Sequence, residues 1–181
     1  PYLNAWYEKY KDKGLVIIGL HTPEFEFEKN YQNVLAATTR LGIKYPVVLD
    51  NDYSTWNSYQ NRFWPRKYLI DIDGYVVYDH IGEGAYDETE RKIQELLEER
   101  MIVLDEKGSI GKEIVKPTGS IAADPSQLGS SEAYFGAARN EFLGNGAKGI
   151  AGVQIFSEPL SILLNKLYLV GTWSIEPQFA R

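Results

Sequence analysis

Hydrophobic positions change period several times along the first hundred residues. From Tyr2 to Lys13, Leu3, Trp6, Tyr7 and Tyr10 recur at helical spacing, which predicts a helix with one apolar face. Gly14 is its expected stop. The run Leu15 to His21 is rich in Val and Ile and predicts a buried strand. Pro23 followed by Glu24, Glu26 and Glu28 predicts a second helix start, because the helix dipole favours acid there. Phe27, Tyr31, Val34, Leu35, Thr38 and Leu41 then fall on one face, and Gly42 closes the helix. A short strand is expected at Pro46–Leu49 and a short helix at Tyr53–Tyr59. Strands Lys67–Ile72 and Tyr75–Ile81 flank Asp73-Gly74, a hairpin-turn signal. Asp87-Glu88-Thr89-Glu90 has the form of a helix cap. Ile93, Leu96 and Leu97 form the stripe of a last helix with Arg100 near its end. Alternating strands and helices with a closing hairpin indicate an α/β sheet.

Past Met101 this periodicity fades. Gly, Ser and Pro rise between Lys107 and Ser131, so a linker is expected over 102–125, between a domain at 1–101 and a β-rich region at 126–181. In that region, Ser131–Leu143 predicts a short helix, Ile150–Phe156 reads as extended, and Leu167–Ile175 alternates like a strand.

Composition narrows the function classes. The chain has 181 residues, 44% hydrophobic and 13% aromatic, which suits a folded globular protein. The net charge of −6 and the lack of a basic stripe argue against nucleic acid as a partner. The longest apolar runs are too short to span a bilayer. There is no cysteine, so these residues offer no disulfide, thiolate metal site or thiol catalysis. With two distant histidines, His21 and His80, no metal site is expected. Asp71-x-Asp73-Gly74 resembles part of a calcium loop but lacks the remaining spacing. Gly144-x-Gly146-x-x-Gly149 has the form of a dinucleotide fingerprint without the strand before it and helix after it. No cofactor is expected.

Four stretches in colinear order carry a more specific signal. They are Val16–Phe25 (VIIGLHTPEF), Tyr45–Asp52 (YPVVLDND), Trp64–Asp71 (WPRKYLID) and Gly82–Glu90 (GEGAYDETE). Together they resemble the TlpA-like redoxins, most closely those of DipZ type. The resemblance implies a thioredoxin-like mixed sheet flanked by helices, and thiol–disulfide exchange with disulfide-containing partner proteins. In that family a Cys-x-x-Cys pair opens the first helix, where the helix N-terminus stabilises a thiolate. Pro1-Tyr2 matches the proline-aromatic pair inside that helix. The resemblance therefore implies that the cysteines, and the central strand before them, lie upstream of residue 1. It also implies an extracytoplasmic domain, tethered in the intact protein to a CcdA/DsbD-like membrane domain that supplies electrons.

On the same grounds Trp64-Pro65 matches the family's cis-proline position. His21 and Glu24 fall at the edge of that active-site surface. Proton handling and a hydrogen-bonded loop are the two readings of this pair, and the loop is favoured. Trp56 and Tyr59 are expected in the core, and His80 is expected to be structural or exposed. Ser131–Gly136 and Leu167–Trp173 resemble the C-terminal region of DipZ-type proteins. This implies a partial jelly-roll or carbohydrate-binding-like domain, in which Tyr168 and Trp173 either stack on a sugar or pack in the core. The competing function is a redox-inactive module on a redoxin scaffold that binds protein or glycan.

Overall fold

A computed structural model describes residues 1–120 and 129–181. The chain divides into two compact units, Pro1–Ala123 and Asp124–Arg181. The expected linker end at 125/126 lies outside the described residues.

The first unit runs α1 (Tyr2–Tyr10), β1 (Gly19–His21), α2 (Tyr31–Arg40), β2 (Val47–Leu49), α3 (Ser54–Ser58), β3 (Arg66–Ile70), β4 (Val76–Ile81) and α4 (Tyr86–Val103). A 3₁₀ turn extends α1 to Lys13, and Gly14 ends it with φ of +101°, a conformation that favours glycine. β1 pairs with β2 in parallel, Gly19 opposite Val47. β3 pairs with β4 antiparallel, Arg66 opposite Ile81. The expected mixed sheet is thus present as two separate strand pairs.

Several expectations are corrected. Only Gly19–His21 of the run 15–21 forms ladder bonds, and the run is buried on one face only. Leu15 and Ile17 pack on the core, while Val16 and Ile18 are 75% and 63% exposed. The second helix begins at Tyr31 rather than after Pro23. Asn30 caps it by accepting the Gln32 N–H at 2.8 Å, and the Glu28 carboxylate instead accepts the N–H groups of Glu24 and Phe25. The hairpin connection spans Asp71–Tyr75 because the Asp71 carboxylate accepts the N–H groups of Asp73 and Tyr75. The last helix continues past Arg100 to Val103.

The predicted cap at 87–90 is also different. Ala85 precedes α4, and Asp87 and Glu88 sit in its first turn, where the dipole favours them. Thr89 and Glu90 are instead buried within the helix. The Glu90 carboxylate accepts from Trp6 Nε1 (3.2 Å), the Tyr10 hydroxyl (2.8 Å), Lys9 Nζ (3.0 Å) and the Val115 N–H (2.8 Å). Around it Trp6, Tyr10, Ile93, Leu97 and Ile110 form the core between α1 and α4. Ile110 and Val115 come from the stretch expected as a linker. That part of it is held by apolar packing and by hydrogen bonds to Glu90, Lys9 and Gln94.

In the second unit, β5 (Gly152–Phe156) and β6 (Gly171–Ile175) form an antiparallel pair. Leu143, Phe156, Leu169 and Ile175 are its core. No α-helix forms over 131–143; a single 3₁₀ turn occupies Ala137–Arg139. Gly136 explains why, since a Cβ there would lie 2.2 Å from the Gln178 backbone, and the chain must pass that crossing extended. The glycines of the 144–149 motif have packing roles. Cβ atoms at Gly144 and Gly146 would strike the rings of Tyr168 and Phe156.

Candidate functional site

The β1–β2 pairing sets the site's base. It brings the end of β1 beside the end of β2, where the Asp50 N–H donates to the His21 carbonyl at 2.9 Å. Asp50 is only 3% exposed. Its carboxylate accepts from the Thr22 hydroxyl (3.0 Å), the Ser54 hydroxyl (3.2 Å) and the backbone N–H groups of Thr55 and Trp56 (2.9 Å each). Burial pushes this carboxyl up, but the four donors prevail and hold it below the usual aspartate range. One side chain thereby ties the loop after β1 to the first turn of α3. The Tyr53 hydroxyl adds a second tie by donating to the Pro23 carbonyl.

α3 in turn positions an aromatic group. Trp56 lies under Trp64, with ring centroids 4.1 Å apart, and Tyr53 meets Trp56 edge-on. Trp64 Nε1 donates to the Thr22 carbonyl at 3.0 Å. The Trp64–Pro65 peptide is cis, and the Pro65 carbonyl accepts the Gly82 N–H at 2.8 Å. Trp64 stays 46% exposed.

The loop holding His21 and Glu24 and the Trp64-Pro65 pair therefore meet through Thr22. His21 Nε2 pairs with the Glu28 carbonyl at 3.1 Å, and the Glu24 backbone N–H donates to the Glu28 carboxylate at 2.7 Å. Two aromatic expectations change. Tyr59 is 40% exposed, with its ring 5.0 Å from that of Tyr68, because α3 is a single short turn that leaves its far end in solvent. Trp56 is half-buried at the site itself. The residue that sequence reasoning missed is Asp50. Its signal was present in Asp50-Asn51-Asp52 just before a short helix, the side-chain chemistry that satisfies free N–H groups at a helix start.

In the second unit, Tyr168 and Trp173 are both half-buried. The Tyr168 ring covers Gly144, and its hydroxyl accepts the Leu163 N–H at 2.9 Å. Trp173 packs against the unit's core and donates from Nε1 to the Val170 carbonyl. Among the described residues no cluster of His, Asp or Glu has the form of a metal site, and no helix is long and apolar enough to cross a membrane. Chemically, the first unit offers an aromatic shelf beside a proline, braced by a buried carboxylate. It contains no sulfur nucleophile of its own.

Several known proteins are similar to this chain in sequence. Protein DipZ of Mycobacterium bovis is 38% identical over an alignment of 182 positions, covering 99% of this chain and 25% of its own length. The thiol-disulfide oxidoreductase ResA of Bacillus anthracis is 35% identical over 97 residues, 53% of each chain. A solved thioredoxin-like protein in its oxidized form has 22% identity and a TM-score of 0.49, covering 54% of this chain and 65% of its own. The chain spans about a quarter of the length of its DipZ relatives. The family described as Redoxin matches residues 1–97, more than half of the chain. This chain is a homologue of DipZ, and it belongs to the redoxin family.

Proposed function

We propose that these residues form part of a thiol–disulfide oxidoreductase whose Cys-x-x-Cys pair lies upstream of Pro1, in the opening turn of the helix that α1 continues. The observation that carries this reading is the Trp64-Pro65 shelf, tied to the end of β1 through Thr22 at 3.0 Å. β1 and β3 each have one strand partner and one open edge among the described residues. One strand inserted between them, leading into α1, would satisfy both edges, and unpaired strand backbone is otherwise costly when buried. It would deliver a cysteine pair to a helix N-terminus, which lowers the thiol pKa. The thiolate would attack a partner's disulfide, and the second cysteine would resolve the mixed disulfide.

In this reading the substrates are disulfide-containing proteins. The domain works on the extracytoplasmic side, tethered in the intact protein, with a CcdA/DsbD-like membrane domain as electron donor. Residues 1–101 carry the redox unit, and 126–181 belong to a β-rich, jelly-roll-like domain in which the half-buried Tyr168 and Trp173 either stack on a sugar or pack in the core. The test is the native polypeptide upstream of Pro1, together with its insulin-reduction activity. A Cys-x-x-Cys within a few residues and reductase activity are expected. A native N-terminal region without such a pair would sink the proposal.

The second reading is a redox-inactive module that holds a protein or glycan. It is favoured by the cysteine-free sequence and by the exposure of Tyr59, Phe63 and Trp64. Binding of a partner by a native protein that has no reactive thiol would support it.

A further inference from the structure

The α1/α4 core holds an aromatic group whose polar hydrogens are aimed at carboxylates. Trp6 is only 2% exposed, and its ring centroid lies 6.2 Å from those of both Tyr2 and Tyr86. Tyr2 and Tyr86, the first residues of α1 and α4, are half-buried and stack on each other at 3.9 Å and 5°. Trp6 Nε1 donates to Glu90 Oε2 at 3.2 Å, and the Tyr86 hydroxyl donates to Glu83 Oε2. Glu90 is buried, whereas Glu83 is exposed. Each ring thus has a base already seated on the proton that its oxidation would release.

A second tryptophan–tyrosine pair in the same unit has the spacing without the base at the tyrosine. Trp56 and Tyr53 are 6.1 Å apart, but the Tyr53 hydroxyl donates to the Pro23 carbonyl, which takes up no proton at neutral pH. The difference matters because indole and phenol become strong acids once an electron is lost. A base at hydrogen-bond distance lets the proton leave with the electron. Burial, with Glu83 beside it, pushes the Tyr86 hydroxyl above the ordinary tyrosine range, so the resting phenol keeps its proton. Lys67 Nζ, 5.0 Å from the Tyr86 ring centroid, opposes positive charge on that ring, which makes proton loss to Glu83 the more necessary. Tyr10 also donates to Glu90, but it is fully buried and offers no exit to solvent.

We propose that Trp6 and Tyr86 form a radical-transfer pair that carries a one-electron oxidising equivalent out of the core to a soluble reductant at the surface. This role is independent of the oxidoreductase reading above. A one-electron oxidant, such as an oxygen-centred radical, removes one electron from the Trp6 indole, and the Nε1 proton passes to Glu90 Oε2. One electron from Tyr86 then reduces Trp6, and Glu90 returns the proton to Nε1. The Tyr86 hydroxyl proton passes to Glu83 Oε2, which exchanges it with water. The sum is one electron and one proton lost from Tyr86, with Trp6 and Glu90 restored. A water-soluble one-electron reductant such as ascorbate then supplies the electron, and water the proton, that rebuild the phenol.

The test is laser photoionisation of the tryptophans in the full 181-residue chain, with the ejected electron scavenged and far-UV circular dichroism verifying the fold. Transient absorbance follows the tryptophanyl radical as it gives way to the tyrosyl radical. A fast phase of this conversion is expected in the unsubstituted chain, absent from Tyr86→Phe and retained in Tyr53→Phe. Glu83→Gln keeps a hydrogen-bond acceptor but removes the base, and is expected to slow the phase about 100-fold, the lower end of what a positioned base supplies. Added ascorbate is expected to quench the tyrosyl signal. A fast phase that survives in folded Tyr86→Phe overturns the pair, as does its absence from the unsubstituted chain. An unchanged rate in Glu83→Gln overturns the proton's route. A tyrosyl signal insensitive to ascorbate leaves the radical in the core and overturns the surface exit.

Discussion

The two sides of the first unit's β1 segment are built differently. Leu15 and Ile17 turn inward to a core closed by α1, α4 and the 110–115 segment, where even a carboxylate is shielded. Val16, Ile18 and Leu20 turn the other way, and the β2 neighbour of Leu20, Val48, is 48% exposed with them. The closed side tolerates Glu90 because four donors satisfy it. The open side carries apolar residues without comparable cover among the described residues. Sequence hydrophobicity is the same on both sides. Burial depends on which elements arrive from elsewhere in the chain.

The sharpest way to break this contrast is Glu90→Ala. It strips the acceptor from Trp6, Tyr10 and the Val115 N–H and leaves the Lys9 ammonium without its carboxylate, held by the Glu113 carbonyl. Removing one member of a buried charged network costs about 3–5 kcal/mol, so a large fall in unfolding free energy is expected in urea titrations. A loss below about 1 kcal/mol would mean that Glu90 is not the centre of that core. Next in size is Ile110→Ala, at about 2–4 kcal/mol for a buried aliphatic truncation. A free linker would give an effect near zero, so the same titration decides whether the segment after α4 belongs to the core.

These two residues also show where sequence reading stops. Gly14, β2, α3 and the β3–β4 hairpin follow from neighbours a few positions apart, and all were legible. Trp64-Pro65 was legible as a candidate through its resemblance to a family motif. Locally, Glu90 reads as part of a helix cap, because Asp-Glu-Thr-Glu has the form of one. Its partners Trp6 and Tyr10 are 84 and 80 positions away, and no local period reports them. Ile110 sits in a stretch rich in glycine, where periodicity is lost although packing is not. Asp50 lay inside a recognised stretch, yet its role depends on Thr22 and α3 converging on one carboxylate.

Asp50 gives the next prediction, intermediate in size and dependent on pH. Its carboxyl is held below its ordinary value in the folded chain, so it favours folding wherever the unfolded chain is already ionised, above about pH 4. That contribution is lost as pH falls through the lower folded value. Asp50→Asn is expected to cost about 1–3 kcal/mol at neutral pH and to flatten the acid side of the stability profile. Tryptophan fluorescence is the natural readout, since Trp56 and Trp64 sit above this anchor. An acid limb of equal steepness in the variant would remove Asp50 as its source.

The smallest expected effect is on the open side. Val16 is 75% exposed, and Val16→Thr keeps the β-branched shape while replacing a methyl with a hydroxyl. In this 181-residue chain it is expected to change stability by less than about 0.5 kcal/mol, the ordinary range for surface substitutions. The same change at Ile17, which packs on the core, buries a hydroxyl and removes apolar volume, so it is expected to cost about 1–3 kcal/mol. Measured side by side in urea, the adjacent pair isolates one variable, which face of the strand is covered. Equal costs at the two positions would show that the exposed face is covered in solution, and the contrast between the two sides would disappear.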